Sequence, residues 1–112
     1  MSAKDPSVFI EHILASIRDI SLFTKNISKE EFISNKEKIN AVVRSIEIIG
    51  EAAKNLPPAF IQQYPSIDWK GIIGTRNMII HHYFGVNLHL IWDITKKDLP
   101  LLEQQLKHLR TP

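Results

Sequence analysis

Apolar residues along this chain recur at spacings of three and four, and nothing alternates convincingly at a spacing of two. A period near 3.6 is the mark of a helix with one buried stripe. Ile10, Ile13, Leu14, Ile17 and Ile20 form the first stripe and leave Glu11, Arg18 and Asp19 for water, which predicts a helix from about Pro6 to Phe23. Ser28 with Glu31 three residues later is a capping-box pattern that starts a short second helix. The strongest period lies between about Asn35 and Leu56. There Ile39, Val42, Ile46, Ile49, Ala53 and Leu56 step along one face, widened by Val43 and Ile48. Pro57 and Pro58 stop that helix, because proline lacks the amide hydrogen and clashes with the preceding turn. "AFIQQY" reads as one more short turn of helix, ending at Pro65.

Asp68 is a suitable N-cap for the next helix, whose apolar stripe runs through Trp69, Ile72, Ile73, Ile79 and Ile80. A break is expected at Phe84-Gly85, with Gly85 free to take a left-handed conformation. The last helical region spans about Asn87 to Leu109, with Leu88, Ile91, Ile94, Leu102, Leu106 and Leu109 as its stripe. Pro100 lies inside it. Either the helix kinks there, or a new helix starts with Asp98 as cap and Pro100 in its first turn. The expected fold class is all-α: an antiparallel up-and-down bundle of about four main helices plus short helical turns. A bundle exchanged between two chains is the alternative.

A length of 112 residues suits a single domain, residues 1–112. There are no cysteines, so neither a disulfide framework nor thiolate chemistry is available. The first residues lack the apolar core of a signal peptide, and no apolar run approaches the roughly 18 residues that a membrane span needs. A cytoplasmic protein without membrane contact is therefore expected. The net charge of +2, with histidines neutral, is compatible with a nucleic-acid partner but too weak to argue for one.

The informative departure from the pattern is "RNMIIHHY", residues 76–83. Arg76 fills the stripe position between Ile73 and Ile80. Arg76 and Tyr83 are seven apart and share a helix face, while Asn77 stacks beneath His81 at a spacing of four. Arg76 and His81 point about 140° apart on a straight helix. They meet only if the helix bends or ends near His81, or if two copies face each other across a dimer axis. A guanidinium grips phosphate through two hydrogen bonds and keeps its charge. An imidazole moves protons near neutral pH, and Asn77 could orient it. Phosphate binding plus proton transfer points to cleaving RNA through its own 2′-hydroxyl.

Blander readings compete. Arg76 could pair with an interior carboxylate, Glu47 or Glu51, since buried charges are usually paired. Tyr83 could be an interface aromatic, His82 a bystander, and Glu51 a solvated or ion-paired carboxylate. His12, His89 and His108 receive no role. No histidine pair at helical spacing joins a carboxylate as in zinc hydrolases, and no glycine-rich phosphate loop is present, so neither a metal nor a cofactor is expected. The same cleft would also suit a non-catalytic nucleotide-binding or docking subunit of a nucleotidyltransferase.

Arg76, four residues, His81, one residue, Tyr83 matches the arginine-histidine-tyrosine signature of HepT-type toxins, which are helical ribonucleases of the HEPN class. "INAVVRSIEIIGEAAKNLP" resembles that family's long helix and "DWKGIIGTRNMIIHHYFGVN" its motif helix, while "LIWDITKKDLPLLEQQL" is similar to its C-terminal helix. The resemblance covers most of residues 8–109. It implies a HEPN bundle that forms a homodimer, with both motifs lining a shared cleft. It implies metal-independent RNA cleavage by Arg76 and His81, supported by Asn77, as the toxin of a type VII toxin–antitoxin system. It also implies a separate partner, a minimal nucleotidyltransferase antitoxin of the MntA type, which transfers AMP from ATP onto the motif tyrosine, Tyr83.

Overall fold

The structure is a computed structural model that describes residues 5–81 and 85–110. All regular elements among them are helical. The order is α1 (Pro6–Phe23), α2 (Lys29–Ile33), α3 (Lys36–Lys54), α4 (Pro58–Gln63), α5 (Trp69–His81), α6 (Leu88–Asp93), a π turn (Ile94–Asp98) and α7 (Leu99–Arg110). The starts are set locally. The Asp5 carboxylate accepts the Ser7 amide at 2.9 Å, with Pro6 in the first turn of α1. Ser28 and Glu31 satisfy each other's backbone amides in the expected capping box. Asn35 caps α3 through the Lys38 amide at 3.0 Å, and Asn87 caps α6 through the amides of His89 and Leu90.

Helix α3 is the centre of the bundle, packed between α1 and α5, with α7 against α1. The core joins the stripes read from the sequence: Ile13, Leu14, Ile17 and Ile20 of α1, Val42, Ile46, Ile49 and Ala53 of α3, and Ile91, Leu102 and Leu106 of the last region, all buried. Phe32 on α2 is fully buried, 5.4 Å ring to ring from Trp92 on α6. The short α2 therefore acts as a plug between α3 and α6.

Two expectations change. No described glycine has a positive φ, so Gly85 does not use the left-handed region; Asn26 does, with φ 60° after α1. At Pro100 the chain follows the second alternative in part: α7 begins at Leu99 with Pro100 in its first turn, but Asp98 ends a π turn instead of capping a free helix start. The chain widens one turn earlier into the π turn, where the Leu99 amide bonds to the Ile94 carbonyl, five residues back. Pro100 cannot donate to the carbonyl four residues earlier and collides with it in a regular α-helix, and the π turn lies just ahead of it. Lys96, at the middle of the π turn, donates to the Thr24 carbonyl (3.3 Å) and hydroxyl (3.2 Å) and sits 4.8 Å from the Trp92 ring centroid. It thereby ties the π turn to the end of α1.

Candidate functional site

Helix α5 carries the motif. Asp68 caps it through the Gly71 amide at 2.9 Å, and the buried Trp69 ring donates to the Tyr64 carbonyl at 3.2 Å, so the N-terminal end is anchored on two sides. Along the helix only Trp69 and Ile79 are buried; Ile72, Ile73 and Met78 are half-buried. Ile80, expected on the buried stripe, is instead exposed. Adjacent residues lie about 100° apart, and the neighbours of α5 cover the Ile79 side and leave the Ile80 side open.

Arg76 points along the flank that meets α3. The two backbones approach so closely at Gly50 that a Cβ there would lie 2.2 Å from Arg76 Cβ and 2.7 Å from its Cγ. The aliphatic stem of Arg76 thus occupies the space a side chain on residue 50 would need. Beyond the stem, Arg76 Nη2 donates to Glu51 Oε2 at 2.7 Å and Nη1 donates to Asn77 Oδ1 at 2.9 Å. Of the two carboxylates considered from the sequence, Glu51 is the partner; Glu47 faces Arg44 at 3.9 Å. The Arg76 side chain is 20% exposed and that of Glu51 55%, so the pair sits at a wet edge rather than sealed in the core. A guanidinium has five N–H donors. Two are taken by these partners, which leaves three N–H groups outside these two bonds.

Asn77 turns its oxygen toward the guanidinium, not toward the imidazole. His81 is exposed, at the last described residue of an uninterrupted α5, and no hydrogen bond joins it to Arg76 or Asn77. The helical pattern of α5 continues unbroken to His81, and on such a helix the two groups lie about 140° apart. Tyr83 and His82 lie outside the described residues. Among the described residues, no three His, Asp or Glu side chains gather as a metal-holding cluster. A cavity of about 230 Å³ opens between α3, α5 and α7 over Ile46, Ile49, Ile72 and Leu102, but neither Arg76 nor His81 lines it.

Gly50 is the residue that sequence reasoning passed over. A signal was present, because glycine in the middle of a strongly periodic helix costs about 1 kcal/mol against alanine and usually marks a close approach. Gly50→Ala is expected to destabilise the protein by about 1–3 kcal/mol despite alanine's better helix propensity, as overpacking forces α5 away from α3. Urea unfolding measures this, and unchanged stability would refute the packing account.

The model of the family described as ribonuclease HepT-like matches residues 13–109. Among curated relatives, a protein of Methanocaldococcus jannaschii named "Putative RNase" is 46% identical over 100 residues, covering 89% of this chain and 83% of the relative. A second "Putative RNase" of that organism is 41% identical over 107 residues, covering 96% and 98% of the two chains. A "Probable ribonuclease HepT" of Thermococcus cleftensis is 39% identical over 102 residues, covering 91% and 93%. No solved structure matches the chain significantly.

Proposed function

The chain belongs to the HepT-like ribonuclease family, and on that premise we propose that it is a metal-independent endoribonuclease acting as the toxin of a toxin–antitoxin pair. The observation that carries the proposal is the state of Arg76: a guanidinium on a water-accessible edge, fixed by Glu51 and Asn77, with donors to spare. In the reaction, the RNA 2′-hydroxyl gives up its proton as its oxygen attacks the adjacent phosphorus. The bond to the 5′-oxygen breaks, and that oxygen leaves protonated. The products are a 2′,3′-cyclic phosphate and a 5′-hydroxyl. Arg76 stabilises the charge that builds on the phosphoryl oxygens. His81 moves the proton.

Two chains complete the site in this reading. Arg76 and His81 diverge on one α5, and a two-fold axis beside α5 brings the arginine of one protomer toward the histidine of its partner. The half-buried Ile73 and exposed Ile80 support such a contact, since they leave an apolar strip on the helix that carries the motif. A nucleotidyltransferase antitoxin of the MntA type neutralises the toxin: the Tyr83 phenol attacks the α-phosphate of ATP, takes AMP and releases pyrophosphate. The bulky, anionic adenylate then fills the cleft and repels an RNA phosphate.

Co-expression with a nucleotidyltransferase encoded beside it is expected to add one or more AMP groups to the peptide containing Tyr83, as read by mass spectrometry, with loss of RNA cleavage. An unmodified peptide together with full neutralisation would remove the tyrosine from the account. A purely structural ion pair also fits the Arg76–Glu51 contact. That reading leaves RNA cleavage unaffected when the charge of Arg76 is removed, which decides between the two.

A further inference from the structure

We infer that Glu51 is a positioning residue for the cleavage reaction, holding the Arg76 guanidinium in its working orientation while its negative charge keeps that guanidinium from gripping ground-state RNA too tightly. The inference rests on the ribonuclease reading above and deepens it.

Two features of α3 and one of α5 converge on the Arg76 side chain. Gly50 removes the Cβ that would displace the Arg76 stem. The next residue, Glu51, then reaches the guanidinium from α3 with a 2.7 Å charge-assisted hydrogen bond. Asn77 holds the other terminal nitrogen from α5 itself at 2.9 Å. Both terminal nitrogens are thus tied to different helices, which fixes the plane of the fork as well as its position. A free arginine side chain would have to lose that freedom on meeting RNA; this one has largely lost it beforehand.

Stability alone does not account for the arrangement. Glu51 is more than half exposed, and ion pairs that open to water add little to folding. The carboxylate's position has a chemical consequence instead. A phosphodiester that accepts from the remaining donors of Arg76 brings its negative charge close to that of Glu51. The repulsion weakens binding of the substrate, which carries one charge. In the transition state more charge builds on the phosphoryl oxygens, and a guanidinium already oriented meets it without reorganising. The repulsion acts on both states and lowers affinity for bound RNA; the gain in rate comes from the orientation of the guanidinium that Glu51 and Asn77 hold.

Glu51→Gln keeps the shape and loses the charge, Glu51→Ala removes the contact, and Glu51→Asp keeps the charge on a shorter reach. The experiment compares kcat and KM on an RNA oligonucleotide for these full-length variants. It is paired with melting temperatures, with binding of an uncleavable 2′-O-methyl oligonucleotide, and with ¹⁵N spectra of the arginine side chains. Glu51→Gln is expected to bind the uncleavable RNA several-fold more tightly, with lower KM, while kcat falls on the order of tenfold because the fork is no longer held. Glu51→Ala loses more kcat, and Glu51→Asp recovers part of it. The Arg76 side-chain signals, sharp in the unmodified protein, broaden in both Glu51→Gln and Glu51→Ala.

Wild-type kcat and KM in Glu51→Gln would overturn the inference. So would a fall in melting temperature with unchanged kcat, which marks a structural ion pair. Weaker RNA binding by Glu51→Gln would do the same, because it means the carboxylate assists binding. If the unsubstituted protein cuts no RNA, the ribonuclease reading fails by itself, and the ¹⁵N spectra still decide whether Glu51 holds the guanidinium.

Discussion

Arg76→Met is expected to lower the rate of RNA cleavage by about 10²–10³-fold, equivalent to about 3–4 kcal/mol of transition-state stabilisation, the usual cost of losing one electrostatic contact to a developing oxyanion. Methionine fills much of the space of the arginine stem beside Gly50, so the packing of α5 on α3 survives. The Glu51 carboxylate left behind is half exposed and stays hydrated, and folding stability changes by about 1 kcal/mol or less. His81→Ala acts on the other half of the chemistry and is expected to cost about 10²–10⁴-fold, the range of a lost proton-transfer group. Its side chain is exposed, so the fold does not depend on it. Initial rates on a labelled RNA, set beside thermal melts of the same preparations, measure both effects. Full activity in Arg76→Met with a large drop in melting temperature would instead assign Arg76 to structure.

The sequence was most legible where a local rule decides the outcome. Ser28 with Glu31, and Asp68, satisfy backbone amides within three residues of themselves, and their helices begin where those residues say; Asp5 and Asn35 do the same at helix starts that the period alone had placed. The buried stripes of α1 and α3 followed from period alone, because a helix packed on several neighbours buries a wide face. Proline 100 was legible as a disturbance but not in its form. The choice of a π turn one step earlier depends on how Ile94 and Leu99 pack and on Lys96 reaching Thr24, seventy-two residues away in the chain.

The site shows the same division. Arg76 stood out because a permanent charge interrupted an apolar stripe, and Glu51 was one of two carboxylates at plausible depth. Nothing local separates Glu47 from Glu51. The choice follows from the register of α3 against α5, which the close approach at Gly50 sets. Ile80 misled for a related reason. Periodicity says which residues share a face, but how much of that face another helix covers is a tertiary fact, and here α5 is covered only in part.

Cleavage through the RNA's own hydroxyl, by two protein side chains and without a metal, has a sharper signature than any substitution. With the 2′-oxygen as nucleophile, an oligonucleotide carrying one 2′-deoxy nucleotide at the cut position has no group to attack and loses that cut entirely, while cuts elsewhere continue. Chelator is expected to leave the rate unchanged, since on this proposal Arg76 supplies the positive charge. The most direct measurement is therefore the identity of the ends formed when purified protein, in excess EDTA, meets an RNA and its singly 2′-deoxy counterpart. The account predicts 2′,3′-cyclic phosphate and 5′-hydroxyl ends from the first and an intact bond in the second. Cutting of the deoxy position, 5′-phosphate ends, or activity that vanishes with EDTA would contradict it.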